Sequence, residues 1–134
     1  MHTKAVLGQF DAQQILDAAR DHAHTQGWAV AIAVVDDGGH PLALLRLDGA
    51  SPITAYIATE KARSAALGRR ETKGYEDMVN SGRTAFLSAP LLTSLEGGVP
   101  VLVNGQVVGA VGVSGVRADQ DAQVAGAGAA ALAG

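Results

Sequence analysis

Trp28-Ala29-Val30-Ala31-Ile32-Ala33-Val34-Val35, then Asp36-Asp37-Gly38-Gly39, then Leu42-Ala43-Leu44-Leu45-Arg46-Leu47 is the stretch that decides the fold. Its first run is apolar throughout, too uniform for a strand with one wet face, and reads as a strand covered on both faces. The Asp-Asp-Gly-Gly segment is a turn whose glycines supply positive φ at little cost. Leu42 to Leu47 is the returning strand, so residues 28–47 read as a hairpin that Asp48-Gly49-Ala50 ends.

Before the hairpin, Asp11 can cap a helix running to Gln26. Ala12, Ile15, Leu16, Ala19 and Ala23 share its apolar face, Arg20, Asp21 and His24 look outward, and Gly27 is its stop. After the hairpin, Ser51-Pro52 opens a second helix, a capping hydroxyl with proline at the first helical position. It runs to Leu67 with Gly68 as its stop. Residues 70–96 are less regular, with a short helix over 75–81 and a loop at 88–90. Gly97-Gly98-Val99-Pro100 leads into a second hairpin, 101–103 and 106–114, with Asn104-Gly105 at its tip. A helix rich in Ala and Gly follows from Asp119 to the end, where Gly126 and Gly128 would let it lie close to a sheet. Strands joined by tight hairpins are antiparallel. The expected class is therefore α/β (α+β), a mainly antiparallel sheet with helices packed on it, in one domain over residues 1–134.

The 134 residues are 48% apolar but only 4% aromatic, so the core rests on small and branched side chains, with few rings for base or sugar stacking. A net charge of −3 and scattered basic residues, apart from Arg69, Arg70 and Lys73, argue against a nucleic-acid partner. The absence of cysteine excludes disulfides, thiolate ligation of metal or haem, and a cysteine nucleophile. Met1-His2-Thr3-Lys4-Ala5 lacks the apolar run of a signal peptide and nothing reaches membrane-spanning length, so a cytoplasmic location without a membrane partner is expected.

Several stretches together resemble a known family. Val35-Asp36-Asp37-Gly38-Gly39-His40-Pro41-Leu42 with Arg46-Leu47-Asp48-Gly49-Ala50 resembles the first hairpin of the GlcG/HbpS-like family. Ala58-Thr59-Glu60-Lys61-Ala62-Arg63-Ser64-Ala65 resembles its helix motif. Gly97-Gly98-Val99-Pro100, Gly109-Ala110-Val111-Gly112-Val113-Ser114-Gly115 and Gln120-Asp121 complete the match, over about residues 11–133. The family includes the C-terminal domain of PduO-type proteins. The resemblance implies a profilin-like α/β/α sandwich, a homo-oligomer, and binding of haem or a related small ligand. Some members sit in small-acid catabolism without an assigned chemistry.

Lys61 is the most informative single residue. At about 100° per residue, Ile53, Ile57 and alanines 55, 58, 62, 65 and 66 share one arc of the second helix, with Lys61 and Thr54 in its middle. Tyr56, Thr59, Glu60 and Arg63 lie opposite. A lysine facing a core must meet an anion or reach water. It either contacts a ligand carboxylate or carbonyl, or pairs with Asp36, Asp48 or a helix-end carbonyl. Arg46 and Asp48 flank Leu47 and project from one face, and an arginine fork there suits a carboxylate such as a haem propionate or forms a local ion pair. His40, at the hairpin tip, is the candidate haem-iron ligand or proton relay. His22 and His24 diverge at i, i+2 spacing. Gly109 and Gly112 interrupt an apolar strand and mark the close approach of a ligand or of another backbone, such as the last helix. Ser114-Gly115 lacks the surroundings of a nucleophile elbow, and the glycine pairs fit no phosphate loop.

Two functions follow as expectations. The first is a binding module in which Arg46, Lys61, His40, Thr54, Gly109 and Gly112 line the site for a small anionic ligand, haem by resemblance, with no other cofactor or metal. The second is a metal-independent enzyme on a small carboxylic or carbonyl compound, in a catabolic or biosynthetic pathway. There Lys61 would polarise the substrate and Asp36, Asp48 or His40 would exchange the proton. An accessory protein that acts through its oligomer surface is the third possibility.

Overall fold

The decisive hairpin forms as β1 (Ala31–Asp36) and β2 (Pro41–Arg46) in the computed structural model, which describes residues 1–132. Residues 30–35 are all buried, as an apolar run covered on both faces requires. β1 pairs with β2 on one side and with β4 (Gln106–Ser114) on the other, and β4 pairs with β3 (Gly98–Val103). The order is β2-β1-β4-β3 and every pairing is antiparallel. Asn104 (φ 51°) and Gly105 (φ 75°) are both left-handed at the tip of the second hairpin, as Asn-Gly predicts. β3 begins at Gly98 rather than 101. It is an edge strand, where Pro100 costs no ladder bond on the open side.

Helices cover both faces. On one side α1 (Gln9–Gln26) and α4 (Ala118–Ala129) bring Ile15, Leu16 and Val124 against Val30, Ile32, Val34, Val111 and Val113. On the other, α2 (Ile53–Gly68) lays Ala58, Ala62, Ala65 and Ala66 over Ala31, Ala33, Val35 and Ala110. This is the expected α/β/α sandwich. At about 0.8 kcal/mol per buried CH2, the α1/α4 side carries most of the hydrophobic stabilisation. The alanine side contributes through closeness of approach.

Gly112 shows how close that approach is. It lies across from Ala33 on β1 and Gly98 on β3. A Cβ at Gly112 would run into the Ala58 carbonyl and the Ala62 nitrogen, and one at Gly98 into the Lys61 carbonyl. The backbone that comes close at Gly112 therefore belongs to α2, not to the last helix. At Gly109 it is the Val35 carbonyl, with Leu7 beside it.

Helix ends differ from expectation in instructive ways. α1 starts two residues before Asp11, which works from inside the first turn: its carboxylate accepts from the Gly8 amide at 2.8 Å. In α2 the Ser51 hydroxyl makes no capping bond. The Ser51 carbonyl instead accepts from the Thr54 amide (3.0 Å) and hydroxyl (2.6 Å). Gly68 is the last helical residue, held small by the Tyr75 hydroxyl, and Arg69 (φ 58°) takes the left-handed cap. α3 (Lys73–Asn80) starts two residues early, and a 3-10 turn (Thr84–Ser88) occupies part of the irregular segment. α4 gives way to a 3-10 turn at Ala130–Leu132, and residues 133–134 of the expected final helix lie outside the described residues. Ile53, expected on the buried arc of α2, is exposed, while Thr54 beside it is buried.

Gly112→Ala should destabilise the protein by about 3 kcal/mol, the upper range for overpacking against a backbone that cannot yield. Gly126→Ala, where an added Cβ meets nothing within 4 Å, should stabilise it by roughly 0.5–1 kcal/mol through helix propensity. Urea melts of the two variants check both signs.

Candidate functional site

Lys61 points inward from α2, as its place in the apolar arc requires, and is buried. Its partner is neither Asp36 nor Asp48. Nζ lies 3.1 Å from Asp121 Oδ2, on the first turn of α4, and donates to the Val113 carbonyl of β4 at 2.9 Å. Asp121 is buried too, and its Oδ1 accepts from the Val116 amide at 3.1 Å. Burial pushes the Asp121 carboxyl above the ordinary value, and the Lys61 charge and the Val116 amide offset only part of that. The helix arithmetic applied to Lys61 could have found Asp121, which shares its face of α4 with buried Val124, Ala125 and Gly128.

Sequence reading also missed a polar cluster on the side of α2. Glu60 pairs with Arg63 and accepts from the Thr93 hydroxyl at 3.3 Å. Buried Ser64 Oγ accepts from the Thr93 amide at 2.8 Å. These bonds anchor the irregular segment to α2, and residues so far apart in sequence carry no local signal of the contact.

Arg46 and Asp48 are exposed at the end of β2. Among the described residues the Arg46 side chain makes no hydrogen bond or ion pair. It borders two hollows. One is a largely apolar groove of about 540 Å³ between β2 and α2, where Ala33, Leu44, Ala55 and Tyr56 form the walls, Glu60 stands on the helix side and Pro41 belongs to the strand side. The other, about 450 Å³, lies at the C-terminal end of α1 beside His24, Trp28 and Asp48. Lys61 and Thr54 line neither hollow. Thr54 is buried with its hydroxyl bonded to the Ser51 carbonyl, and Gly109 and Gly112 lie under backbone within the sandwich.

His40 stands at the β1–β2 turn with its ring 78% exposed and Nδ1 3.0 Å from Asp36 Oδ1. It is separated by the length of β2 from Arg46, about 20 Å for six residues of strand. The candidates thus fall into two places. Arg46, Asp48 and the His40–Asp36 pair border the open edge of the sheet, while Lys61, Thr54, Gly109 and Gly112 are interior. Among the described residues no three His, Cys, Asp or Glu side chains converge as a metal site, and no helix is long and apolar enough to cross a membrane.

A family model described as haem degrading protein HbpS-like matches residues 7–130. The protein GlcG of Escherichia coli is 66% identical over 114 residues, 85% of each chain. The crystal structure of a double mutant of Streptomyces reticuli HbpS superposes with a TM-score of 0.89 at 33% identity, covering 100% of this chain and 92% of that one. A PduOC:haem complex superposes with a TM-score of 0.85 at 25% identity, covering 96% of each chain.

Lys61→Met strands the Asp121 carboxylate and should cost about 3–5 kcal/mol at pH 7. Removing the cation lets burial raise the carboxyl further. A group whose folded pKa lies above its unfolded value takes stability away as pH rises through that window. The deficit should therefore shrink on acidification to pH 5, and thermal melts of parent and variant at the two pH values test it. An equal deficit at both would show that the buried carboxylate is not its source.

Proposed function

The chain belongs to the HbpS-like family, and from that premise we propose that it binds a small anionic ligand, with haem as the leading candidate, in the groove between β2 and α2. The observation that carries this is Arg46, a guanidinium without a partner among the described residues, standing at one end of a largely apolar groove. With Glu60 held by Arg63, the unpaired charge at this apolar cleft is the Arg46 guanidinium, which suits a flat molecule with a carboxylate edge. Haem bound in a PduOC relative supports the choice of ligand.

The apolar walls and Arg46 fit the ring and a propionate of that group. Arg46 would meet a propionate through its fork. Leu44, Ala55 and Tyr56 would pack on the ring; His40, at the turn beyond Pro41, is not among the residues that line the groove, so the groove itself offers the iron no imidazole. Bound haem would supply an iron centre for oxygen or electron chemistry, and the protein would position and charge it. Lys61, paired with Asp121, serves in this reading as an interior anchor that holds α2 at the groove's wall. The enzyme alternative has less support, since Lys61, its substrate-polarising residue, is buried against Asp121 and lines neither hollow. Exposed Leu44, Ile53 and Tyr56 beside the groove further favour a homo-oligomer, and light scattering should give a mass well above 13.5 kDa.

Haemin titrated into the protein should develop a Soret band that saturates. Arg46→Gln should weaken binding roughly tenfold, since a charge-assisted hydrogen bond is worth about 1.5–3 kcal/mol. If the parent gives no saturable band, the ligand is a different anion; if Arg46→Gln binds like the parent, the groove is not the site.

A further inference from the structure

β2 and β3 are the two edges of the sheet, and they are guarded differently. β3 carries Pro100 in mid-strand and a register shift at Val101–Leu102, devices that hinder the addition of a further strand. β2 has its proline, Pro41, and its register shift, opposite Val34–Val35, only at the start. From Ala43 to Leu45 it holds no proline and no charge. An apolar edge left open in this way is a template for strand pairing and needs a cover in the native protein.

The exposed apolar surface around β2 lies on both faces of the sheet. On the α2 face Leu44, opposite Ala33, is exposed beside Tyr56. On the α1 face Leu42 and Phe10 are exposed and border one hollow. A ligand in the β2–α2 groove covers only the first pair, whereas a strand added to the edge covers both. Two copies joined here would cover on the order of 1,000 Å² of these side chains and the paired backbones, the lower bound for a specific interface. The charges are complementary as well. Arg63, the partner of Glu60, has its stem against Gly39 in the β1–β2 turn, so Glu60 marks the Pro41 end of the groove and Arg46 the opposite end. Antiparallel pairing of two β2 strands brings the Arg46 of each copy to the Glu60 end of the other.

Building on the homo-oligomer reading above, we propose that β2 pairs with β2 of a second copy about a two-fold axis at Leu44, joining two four-stranded sheets into one of eight. A two-fold contact closes on itself, so the open edge is consumed without further growth. The α2 helices of both copies then stand on the same face, and the two grooves merge into one trough floored by both β2 strands. Each groove gains the partner's Arg46 at its Glu60 end, so the anion site is complete only in the pair.

The test uses the full chain, which has no cysteine of its own. Leu44→Cys places a thiol on the axis, where directly opposed residues have Cβ atoms about 4.5–5.5 Å apart. Oxidised with diamide at micromolar concentration, it should give a disulfide-linked dimer in high yield. Leu102→Cys on β3 is the matched control, since Leu102 and Leu44 are 49% and 51% exposed, and it should link only in traces. Leu44→Glu sets two carboxylates face to face. It should raise the dissociation constant roughly 100-fold or more and at least halve the mass found by sedimentation, with the far-ultraviolet circular dichroism of the parent. A parent that sediments as a monomer overturns the pairing together with the homo-oligomer reading. An oligomeric parent in which Leu44→Cys links no better than Leu102→Cys overturns the pairing alone, and leaves this edge to a strand of a different protein or to the ligand. Folded Leu44→Glu with the parent's mass does the same. Haemin that fails to bind a protein linked through Leu44→Cys removes the ligand and keeps the pairing.

Discussion

The buried ion pair between Lys61 and Asp121 is the contact on which the arrangement of layers depends. Lys61 comes from the helix on one face of the sheet and Asp121 from a helix on the other. They meet at the end of β4, where the Val113 carbonyl accepts a second bond from the ammonium. Two charges removed from water gain little net stability from each other, but any packing that separates them leaves one uncompensated. The pair therefore penalises every rotation and register of α2 except the one observed. It also needs room: a Cβ at Gly97 would stand 2.8 Å from Nζ and 2.9 Å from Cδ, so glycine is required where the lysine stem passes.

That anchor works together with the small residues beneath α2. Ala33, Gly112 and Gly98 stand side by side across three strands, and the helix backbone rests on them almost without intervening side chains. A helix held so low over the inner strands leaves the edge strand β2 uncovered. Leu44 and Arg46 project there with no layer above them, and the groove between β2 and α2 is the space that results. The same packing that makes the interior dense thus creates the open site at its margin. The polar bonds from Thr93 to Glu60 and Ser64 fasten the irregular segment to the flank of α2, which makes the helix a fixed wall of that groove.

Local sequence signals were sufficient for the elements themselves. An unbroken apolar run bounded by glycine-rich turns determined a strand covered on both faces, Asn104-Gly105 determined a hairpin tip, and the 3.6-residue period put Lys61 inside. Helix ends were less legible. Asp11 caps from the third helical position, and Gly68 is glycine because Tyr75 crowds it, with Arg69 taking the left-handed turn instead. At Asp11 the change lies within the first turn, through the Gly8 amide; at Gly68 it comes from the following helix, through Tyr75.

Which residues face each other was decided only by the tertiary structure. Lys61 and Asp121 are separated by 60 positions, and no period or motif connects them until the sheet folds α2 and α4 onto opposite faces of β4. The backbone over Gly112 and the anchoring of Thr93 are equally long-range. Asp36 and His40, by contrast, lie within one turn, and their neighbourhood was visible in the sequence, although the contact that orients the ring was not. Sequence by itself determined the elements and the polarity of each face, because those follow from interactions within a few residues. Pairing, burial and the open groove were left to the tertiary structure, because they depend on where distant elements come to rest.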